Sequence, residues 1–272
     1  MCTVPLLRAV CRESYNPPAA VYAQLKRLGM DLVTVTDHDS IDAAEELRSH
    51  PDFFLSEEIT CRMPSGTEAH IGVYDITERD HVEFERRRRD FPSLLAYLNQ
   101  RRLFFTVNHA LSSLTGPRVA DDFACFAEHF PGVETHNGHM LRAANRGARE
   151  LARWLGKAET GGSDAHAMRS VGCAWTAVPG ARSRREYLDG LRHGAGRVHG
   201  ETGSVWKLTR DVLAIAGQMV RENPATLALA PLALLVPAAT LANYAYEAAF
   251  ARLWSGRIRV SGGSGAAVKV GA

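Results

Sequence analysis

The chain has few cysteines, and none of them stands in a close pair. Its five cysteines, Cys2, Cys11, Cys61, Cys125 and Cys173, are scattered and odd in number, and no Cys-x-x-Cys pair occurs. This usage argues against a disulfide framework and favours a reducing cytoplasm. The C-terminal region described below leaves open a peripheral or membrane-associated position within that compartment.

The sequence also lacks a strong net charge, a secretory signal and an internal repeat. The formal net charge of +2 gives the whole chain no strong pull toward nucleic acid. Residues 1–10 are too short and too weakly apolar for a signal peptide. With 272 residues, 46% of them hydrophobic and 23% charged, the chain is long enough for one α/β barrel, or for a domain with an appendage.

Short β-branched or aromatic runs alternate with helical patterns, which predicts βα units around a mainly parallel sheet. The predicted strands are Leu32–Thr36, Phe53–Ile59, Ala69–Tyr74, Leu103–Val107, Gly132–Thr135 and Ala174–Val178. The predicted helices are Pro18–Leu28, Asp42–Arg48, His81–Arg89, Pro92–Gln100, Asp121–His129, Leu141–Leu155 and Ser183–Leu191.

The character of the sequence changes near residue 204. The stretch 206–222 has an amphipathic helical pattern, and the 18 residues 225–242 carry no charge. As a helix they would span roughly 27 Å, just short of a bilayer core, but Pro231 and Pro237 interrupt them. We expect either a helical hairpin packed on the barrel or a partner, or membrane association through residues 225–242. Residues 261–272 are rich in Gly and Ser and are predicted to be disordered.

Acidic and imidazole side chains collect where the predicted strands end. Catalytic groups of an α/β barrel come from the carboxyl ends of its strands, so these side chains would meet at one mouth. Nitrogen and carboxylate donors without thiolate suit zinc, manganese or iron. The candidate metal ligands are His38, Glu58, His70, His109, Asp164 and His166.

Such a site is suited to hydrolysis of phosphate esters. Bound cations lower the pKa of water and neutralise the oxygens of a phosphoryl group during transfer. Arg169 could bind a substrate phosphate through two parallel hydrogen bonds, or it could pair with a nearby acid. The run Arg86–Arg89 is interpreted as a solvated helix face, so a nucleic-acid partner is not favoured.

The ordered set of motifs resembles a known family. Thr36-Asp37-His38-Asp39, the Glu58 segment, Asn108-His109, Glu134-Thr135-His136-Asn137 and Gly162-Ser163-Asp164-Ala165-His166 look like the later motifs of the PHP (polymerase and histidinol phosphatase) family. The resemblance covers roughly residues 16–180. It implies a distorted seven-stranded (β/α) TIM-like barrel with up to three divalent metals. It also implies cleavage of a small phosphorylated substrate, such as a nucleotide or a sugar or amino-alcohol phosphate.

The resemblance also implies roles for single residues. His38 and His166 would hold one metal, Glu58, His70 and His109 a second, and Asp164 a third toward which Glu58 bridges. His109, His166 and Asp37 are the catalytic candidates, with Asp37 orienting the ligands. Arg169 and Asn137 are the candidate substrate-binding residues, although Asn137 and Glu134 could instead shape the strand end.

One family motif has no counterpart. The family begins with a strand that ends in His-x-His, and here no histidine precedes His38. We therefore expect a barrel without its first strand over residues 1–205, a helical region over 206–260 and a tail over 261–272. The main hypothesis is a metal-dependent phosphoesterase. The alternatives are a non-catalytic binding or regulatory module docked through its C-terminal hairpin, and a deacetylase or amidohydrolase.

Overall fold

A computed structural model describes residues 14–260 and 268–270 of the chain. Its helices are α1 (Pro18–Arg27), α2 (Asp42–Leu47), α3 (Glu78–Arg87), α4 (Phe91–Gln100), α5 (Ala120–His129), α6 (Arg142–Leu155), α7 (Arg184–Arg192), α8 (Val205–Glu222) and α9 (Val236–Arg257). Its strands are β1 (Ser56–Arg62), β2 (Glu68–Tyr74), β3 (Phe104–Val107), β4 (Gly132–Asn137), β5 (Ala158–Gly162), β6 (Ala174–Ala177), β7 (Arg197–Gly200), β8 (Ile258–Val260) and β9 (Val268–Val270). Short 3₁₀ helices cover Met168–Ser170 and Pro224–Leu235.

The central element is a mixed five-stranded sheet in the order β1-β2-β3-β4-β5. β1, β2 and β3 pair antiparallel, whereas β3, β4 and β5 pair parallel. The prediction of a seven-stranded, mainly parallel barrel was therefore wrong in strand number and direction, and the described strands form no closed barrel. The predicted α/β class is confirmed, since the chain folds as a mixed α/β protein around this sheet.

A tight turn explains the antiparallel half of the sheet. β1 and β2 are joined by residues 63–67, where the Met63 amide donates to the Thr67 carbonyl at 2.9 Å. Gly66 in this turn has a φ of +86°, which glycine adopts without a steric penalty. A connection this short joins antiparallel neighbours, since a parallel pair needs a crossover of a dozen or more residues.

The predicted strand Leu32–Thr36 is an extended segment rather than a regular strand. It forms two isolated parallel bridges. Val33 pairs with Phe53, which precedes β1, and His38 pairs with Glu58 within β1. The Val33 amide donates to the Asp52 carbonyl at 2.9 Å. Because pairing occurs at separate points, no continuous ladder forms, yet the segment still carries His38 to the end of β1.

Helix positions agree with the sequence patterns to within a few residues, and local chemistry explains the largest difference. α3 begins earlier than predicted because Thr77 and Asp80 form a capping box. The Thr77 amide donates to the Asp80 carboxylate at 2.9 Å. The patterns missed β5 and β7, whose residues include glycines and charged side chains that are poor strand formers.

The core lies between the sheet and the helices on one face. Alternate residues of β1 and β2 point into it, so Ile59, Ile71 and Val73 are fully buried. Aromatic rings of α5 and the following residues complete it; the Phe126 and Phe130 centroids lie 5.3 Å apart in an edge-on arrangement.

The C-terminal helices pack against this core through their ends nearest the sheet. The Trp254 ring of α9 lies 5.1 Å from the Phe123 ring of α5. Glu247 of α9 is buried, and its carboxylate accepts hydrogen bonds from the Ser112 hydroxyl at 2.8 Å and from the Ser113 amide and hydroxyl. In the structure, Val205–Glu222 and Val236–Arg257 are α-helical, and Pro224–Leu235 between them is a 3₁₀ helix. The disorder predicted for 261–272 lies outside the described residues except at Val268–Val270, which pairs with β8.

We expect Glu247→Ala to lower the free energy of unfolding by about 2–3 kcal/mol, because it leaves the polar groups of Ser112 and Ser113 buried without an acceptor. Urea unfolding monitored by circular dichroism measures this change. Arg252→Ala, at an exposed position on the same helix, should change the stability by less than about 0.5 kcal/mol. Equal stabilities of the two variants would contradict the anchoring role of Glu247.

Candidate functional site

The first pair of site residues is brought together by the bridge between the 33–38 segment and β1. The Glu58 amide donates to the Asp37 carbonyl at 3.1 Å, and the Asp39 amide donates to the Glu58 carbonyl at 3.0 Å. This pairing places His38 Nε2 3.3 Å from Glu58 Oε2. Asp39 has a φ of +50°, an uncommon value for a non-glycine residue that often marks a functional site.

Two further histidines come from β2 and from the end of β3. His70 lies opposite Thr60 in the β1–β2 register, and its carbonyl accepts the Asn108 amide at 2.9 Å. As a result His70 Nδ1 lies 3.2 Å from His109 Nε2. His109 has a φ of +31°, and its ring turns toward Glu58, with Nε2 3.3 Å from Oε1.

The converging atoms fit a metal ion. His38, Glu58 and His70 each offer a ligand atom, all within 4.8 Å of one another. In a tetrahedral site with zinc–nitrogen bonds of 2.0–2.1 Å, neighbouring ligand atoms lie about 3.4 Å apart. The separations to Glu58 Oε1 are 3.3 Å from His109 Nε2 and 3.7 Å from His70 Nδ1, which are close to that value. Four of the six predicted ligands are thus brought together.

Burial and neighbouring charges set the protonation states of this cluster. Burial opposes ionisation of Glu58, but the hydrogen bond from His109 and the neighbouring imidazoles outweigh it and lower the pKa to about 2. Burial and the nearby His109 lower the pKa of His70 to about 3. Burial of His109 is outweighed by Glu58, which raises the pKa of His109 to about 8. At neutral pH the cluster therefore holds a carboxylate at Glu58, a neutral imidazole at His70 and a mostly protonated imidazole at His109, which must give up its proton to act as a metal ligand.

Asp164 and His166 form a second group on the turn after β5. His166 Nδ1 lies 3.0 Å from the Asp164 carbonyl and 3.6 Å from its carboxylate. Burial favours the neutral acid, but His166, His139 and His109 hold the pKa of Asp164 well below its usual range. Asp164 has a φ of +47°. At Gly161, a Cβ would stand 2.5 Å from the His136 carbonyl, so the close approach of β5 to β4 requires glycine there.

Glu134 and Asn137 join the two groups, which the sequence motifs only hinted at. The Glu134 carboxylate accepts the His109 amide at 3.0 Å and the Asn137 side-chain amide at 3.1 Å. The same side-chain amide of Asn137 donates to the Asp164 carboxylate at 3.1 Å. The side-chain oxygen of Asn137, Oδ1, accepts the backbone amide of His139 at 2.8 Å. These bonds favour a positioning role for Asn137 over contact with substrate. Burial raises the pKa of Glu134 to about 7.

Both groups open into one cavity of about 370 Å³. A volume of this size accommodates a small organic ligand. His70 lies beneath it, buried at 2% exposure. The predicted site residues that line the cavity are Asp37, His38, Glu58, His109, Asn137, Asp164 and His166.

Arg169 is placed differently from the other predicted residues. It is not among the residues that line this cavity, and its Nε lies 3.7 Å from the buried carboxylate of Asp211 on α8. This arrangement matches the alternative in which the arginine pairs with an acid. Asp211 also accepts hydrogen bonds from His139 at 2.9 Å and from Ser170 at 2.5 Å.

Sequence reasoning gave little weight to two other residues near Glu58. Asn108 donates its side-chain amide to Glu58 Oε1 at 2.8 Å, so it orients that carboxylate. Its position beside His109 in the Asn-His motif was the available signal. Glu57 points the other way and pairs with His81 at 2.9 Å. This supports the choice of Glu58 over Glu57 as the candidate ligand.

His109→Ala should lower metal affinity by at least about tenfold, since it removes the nitrogen closest to both His70 and Glu58. Elemental analysis after dialysis against a limiting metal concentration measures the bound ion. The control is His193→Ala, at an exposed position outside the cavity. Unchanged metal content in the His109 variant would contradict the ligand assignment.

Comparisons with known proteins agree with this description. A family model described as PHP-associated matches residues 142–195, a range that includes Asp164 and His166. No curated protein sequence matches significantly. Among solved structures, PsfC from Pseudomonas syringae aligns with a TM-score of 0.53 and 16% identity, over 76% of this chain and 93% of that one. At this identity the likeness concerns the fold alone.

Two further structures align with lower scores. A candidate metal-dependent phosphoesterase from Bifidobacterium adolescentis gives a TM-score of 0.42 and 15% identity, over 57% of this chain and 84% of that one. The lesion-specific endonuclease PfuEndoQ from Pyrococcus furiosus gives 0.48 and 14%, over 69% of this chain and 55% of that one. What the chain shares with the PHP family by these comparisons is therefore the PHP-associated segment over residues 142–195.

Proposed function

We propose that this protein is a metal-dependent phosphoesterase. The observation that carries the proposal is the convergence of His38, Glu58, His70 and His109, whose facing ligand atoms lie 3.2–3.7 Å apart; three of the four residues line the cavity. Structural histidines are usually satisfied by separate partners. Three imidazoles around one buried carboxylate are instead the arrangement that a divalent cation requires.

The four residues would hold one divalent metal through nitrogen and carboxylate donors, and Asp164 with His166 would contribute to a second. Manganese, zinc and iron all suit such donors. When bound, the metal supplies a Lewis acid that polarises a phosphoryl oxygen and lowers the pKa of water.

The surrounding residues keep these ligands in place. Asn108 holds the Glu58 carboxylate, while Glu134 holds the backbone amide of His109. Asn137 ties Glu134 to Asp164 across the cavity. Because Glu58, Asp164 and the backbone of His109 are held by buried partners, this part of the site is organised before substrate binds, which reduces the reorganisation needed during reaction.

The cavity favours a small phosphorylated substrate over a polymer. Its volume of about 370 Å³ suits a nucleotide fragment or a sugar or amino-alcohol phosphate. Tyr74 and Tyr187 also line the cavity and add to its apolar surface. Arg169 would reach a phosphate only by leaving Asp211, so we assign phosphate binding to the metal-holding groups.

We expect Glu58→Gln to lower kcat/KM for p-nitrophenyl phosphate by at least about a hundredfold, since the amide cannot neutralise a cation. Activity is measured with manganese and with zinc on p-nitrophenyl phosphate, bis-p-nitrophenyl phosphate and p-nitrophenyl acetate. Glu128→Gln, whose side chain is 74% exposed, is the control and should retain full activity.

Each outcome separates the hypotheses. Turnover of phosphate esters that depends on metal and on Glu58 supports the proposal. Hydrolysis of the acetate ester alone would favour a deacetylase or amidohydrolase. Metal binding without turnover of any ester would favour the non-catalytic binding module and overturn the enzyme assignment.

A further inference from the structure

The segment between α8 and the core-facing end of α9 is uncharged and exposed. Its 24 residues, 223–246, carry no Asp, Glu, Lys or Arg; we call them the hairpin tip. Large apolar side chains project from it into solvent: Leu234 is 84% exposed, and Leu227 and Leu235 are each 61% exposed. Soluble proteins rarely expose a contiguous apolar surface of this kind unless it binds something.

The apolar side chains of the tip occur on all sides of the chain. In the 3₁₀ segment Pro224–Leu235, alanines and leucines face every direction, with no polar stripe. In the first turns of α9 the buried Thr240 contacts Thr209 of α8, and the apolar residues around it are exposed. A helix that docks into a protein groove has one apolar face and one polar face. A segment that is apolar all round fits a medium that surrounds it, and lipid is such a medium. This pattern also argues against a second copy of the chain as the occupant.

The tip is held at both ends by the same body. On α8, Asp211 accepts hydrogen bonds from His139 and Ser170. On α9, Glu247 accepts hydrogen bonds from Ser112 and Ser113. The helices α8 and α9, which we call the two legs of the hairpin, are therefore both attached to the sheet domain. The tip between them is a re-entrant hairpin.

The length of the hairpin limits how far it reaches. By length and composition the helical stretch Pro224–Arg257 could cross a membrane, and 6% of its most apolar window is buried. The α8 leg, however, extends only eleven residues beyond its Asp211 anchor before the helix ends at Glu222, or roughly 16 Å. A bilayer core is about 30 Å thick, so this reach corresponds to one leaflet.

Charged and aromatic side chains surround the base of the tip. Arg221, Glu222 and Arg252 flank the tip in the sequence and are exposed, whereas Glu247 is buried in its hydrogen bonds. The exposed charges beside the tip are thus two cations and one anion, and Tyr246 is 61% exposed. Cations attract anionic headgroups, and Tyr and Trp are enriched at the membrane–water interface.

We propose that the hairpin tip inserts into one leaflet of an anionic bilayer and anchors the protein to its surface. The exposed leucines enter the acyl region, and the arginines at the base contact lipid phosphates. This surface is separate from the metal cluster, so the proposal does not depend on the enzymatic activity.

Flotation of the full chain with vesicles tests the proposal. We expect binding to vesicles of equimolar phosphatidylcholine and phosphatidylglycerol, and at least about tenfold weaker partitioning for the double variant L234E/L235E. Arg221→Glu should weaken binding by about fivefold or more on these vesicles and have a smaller effect on pure phosphatidylcholine. Val82→Glu, at a position 45% exposed on α3, is the matched control and should bind as the unmodified chain does.

Circular dichroism and thermal melting establish that each variant is folded, which we expect because the substituted side chains are exposed. Absence of vesicle binding by the unmodified chain would overturn the proposal. Equal binding by L234E/L235E and the unmodified chain would also overturn it. A dimer in sedimentation that dissociates in the double variant, without any vesicle binding, would assign the tip to a second copy instead.

Discussion

The buried negative charge of Glu58 is the constraint on which the site depends. Its carboxylate is 9% exposed and is reached by side chains from three parts of the chain: His38, His70 and the Asn108-His109 pair. A charge removed from water to this extent requires cationic or hydrogen-bonding partners. The bridge at residue 38, the β1–β2 register and the end of β3 all deliver such partners to one point. The convergence of these elements is what makes a metal site physically reasonable here.

A second set of buried carboxylates connects the C-terminal helices to this site. Asp211 accepts a hydrogen bond from His139, and the His139 ring lies 5.7 Å from the His166 ring. Glu247 accepts a hydrogen bond from Ser112, in the segment that follows His109. The two legs of the hairpin therefore contact the segments that carry two of the candidate ligands. The same legs support an exposed apolar tip. The candidate site and the exposed tip are therefore connected through the same two helices.

Much of the site was predictable because its chemistry is local. Asp37-His38, Asn108-His109 and Asp164-Ala165-His166 each follow a strand-like segment, and residue type together with position indicated metal ligands. Glu134 and Asn137 were harder to assign, since their roles come from hydrogen bonds to His109 and Asp164 that no sequence spacing specifies. Arg169 was interpreted from its proximity to His166 in the chain, whereas its position beside Asp211 depends on a helix that begins more than thirty residues later.

The sequence by itself determined the helices, the strands β1 to β4 in outline, the donor types of the site and the uncharged stretch near the C-terminus. These features follow from periodicity, capping and side-chain chemistry, all of which are local. Only the tertiary structure decided that β1, β2 and β3 pair antiparallel, that the sheet stays open, and that His70 meets His109 at 3.2 Å. It also decided that the leucines of residues 223–246 face outward. Pairing direction and exposure depend on which distant segments compete for the same surface, and that competition is settled only when the whole chain packs.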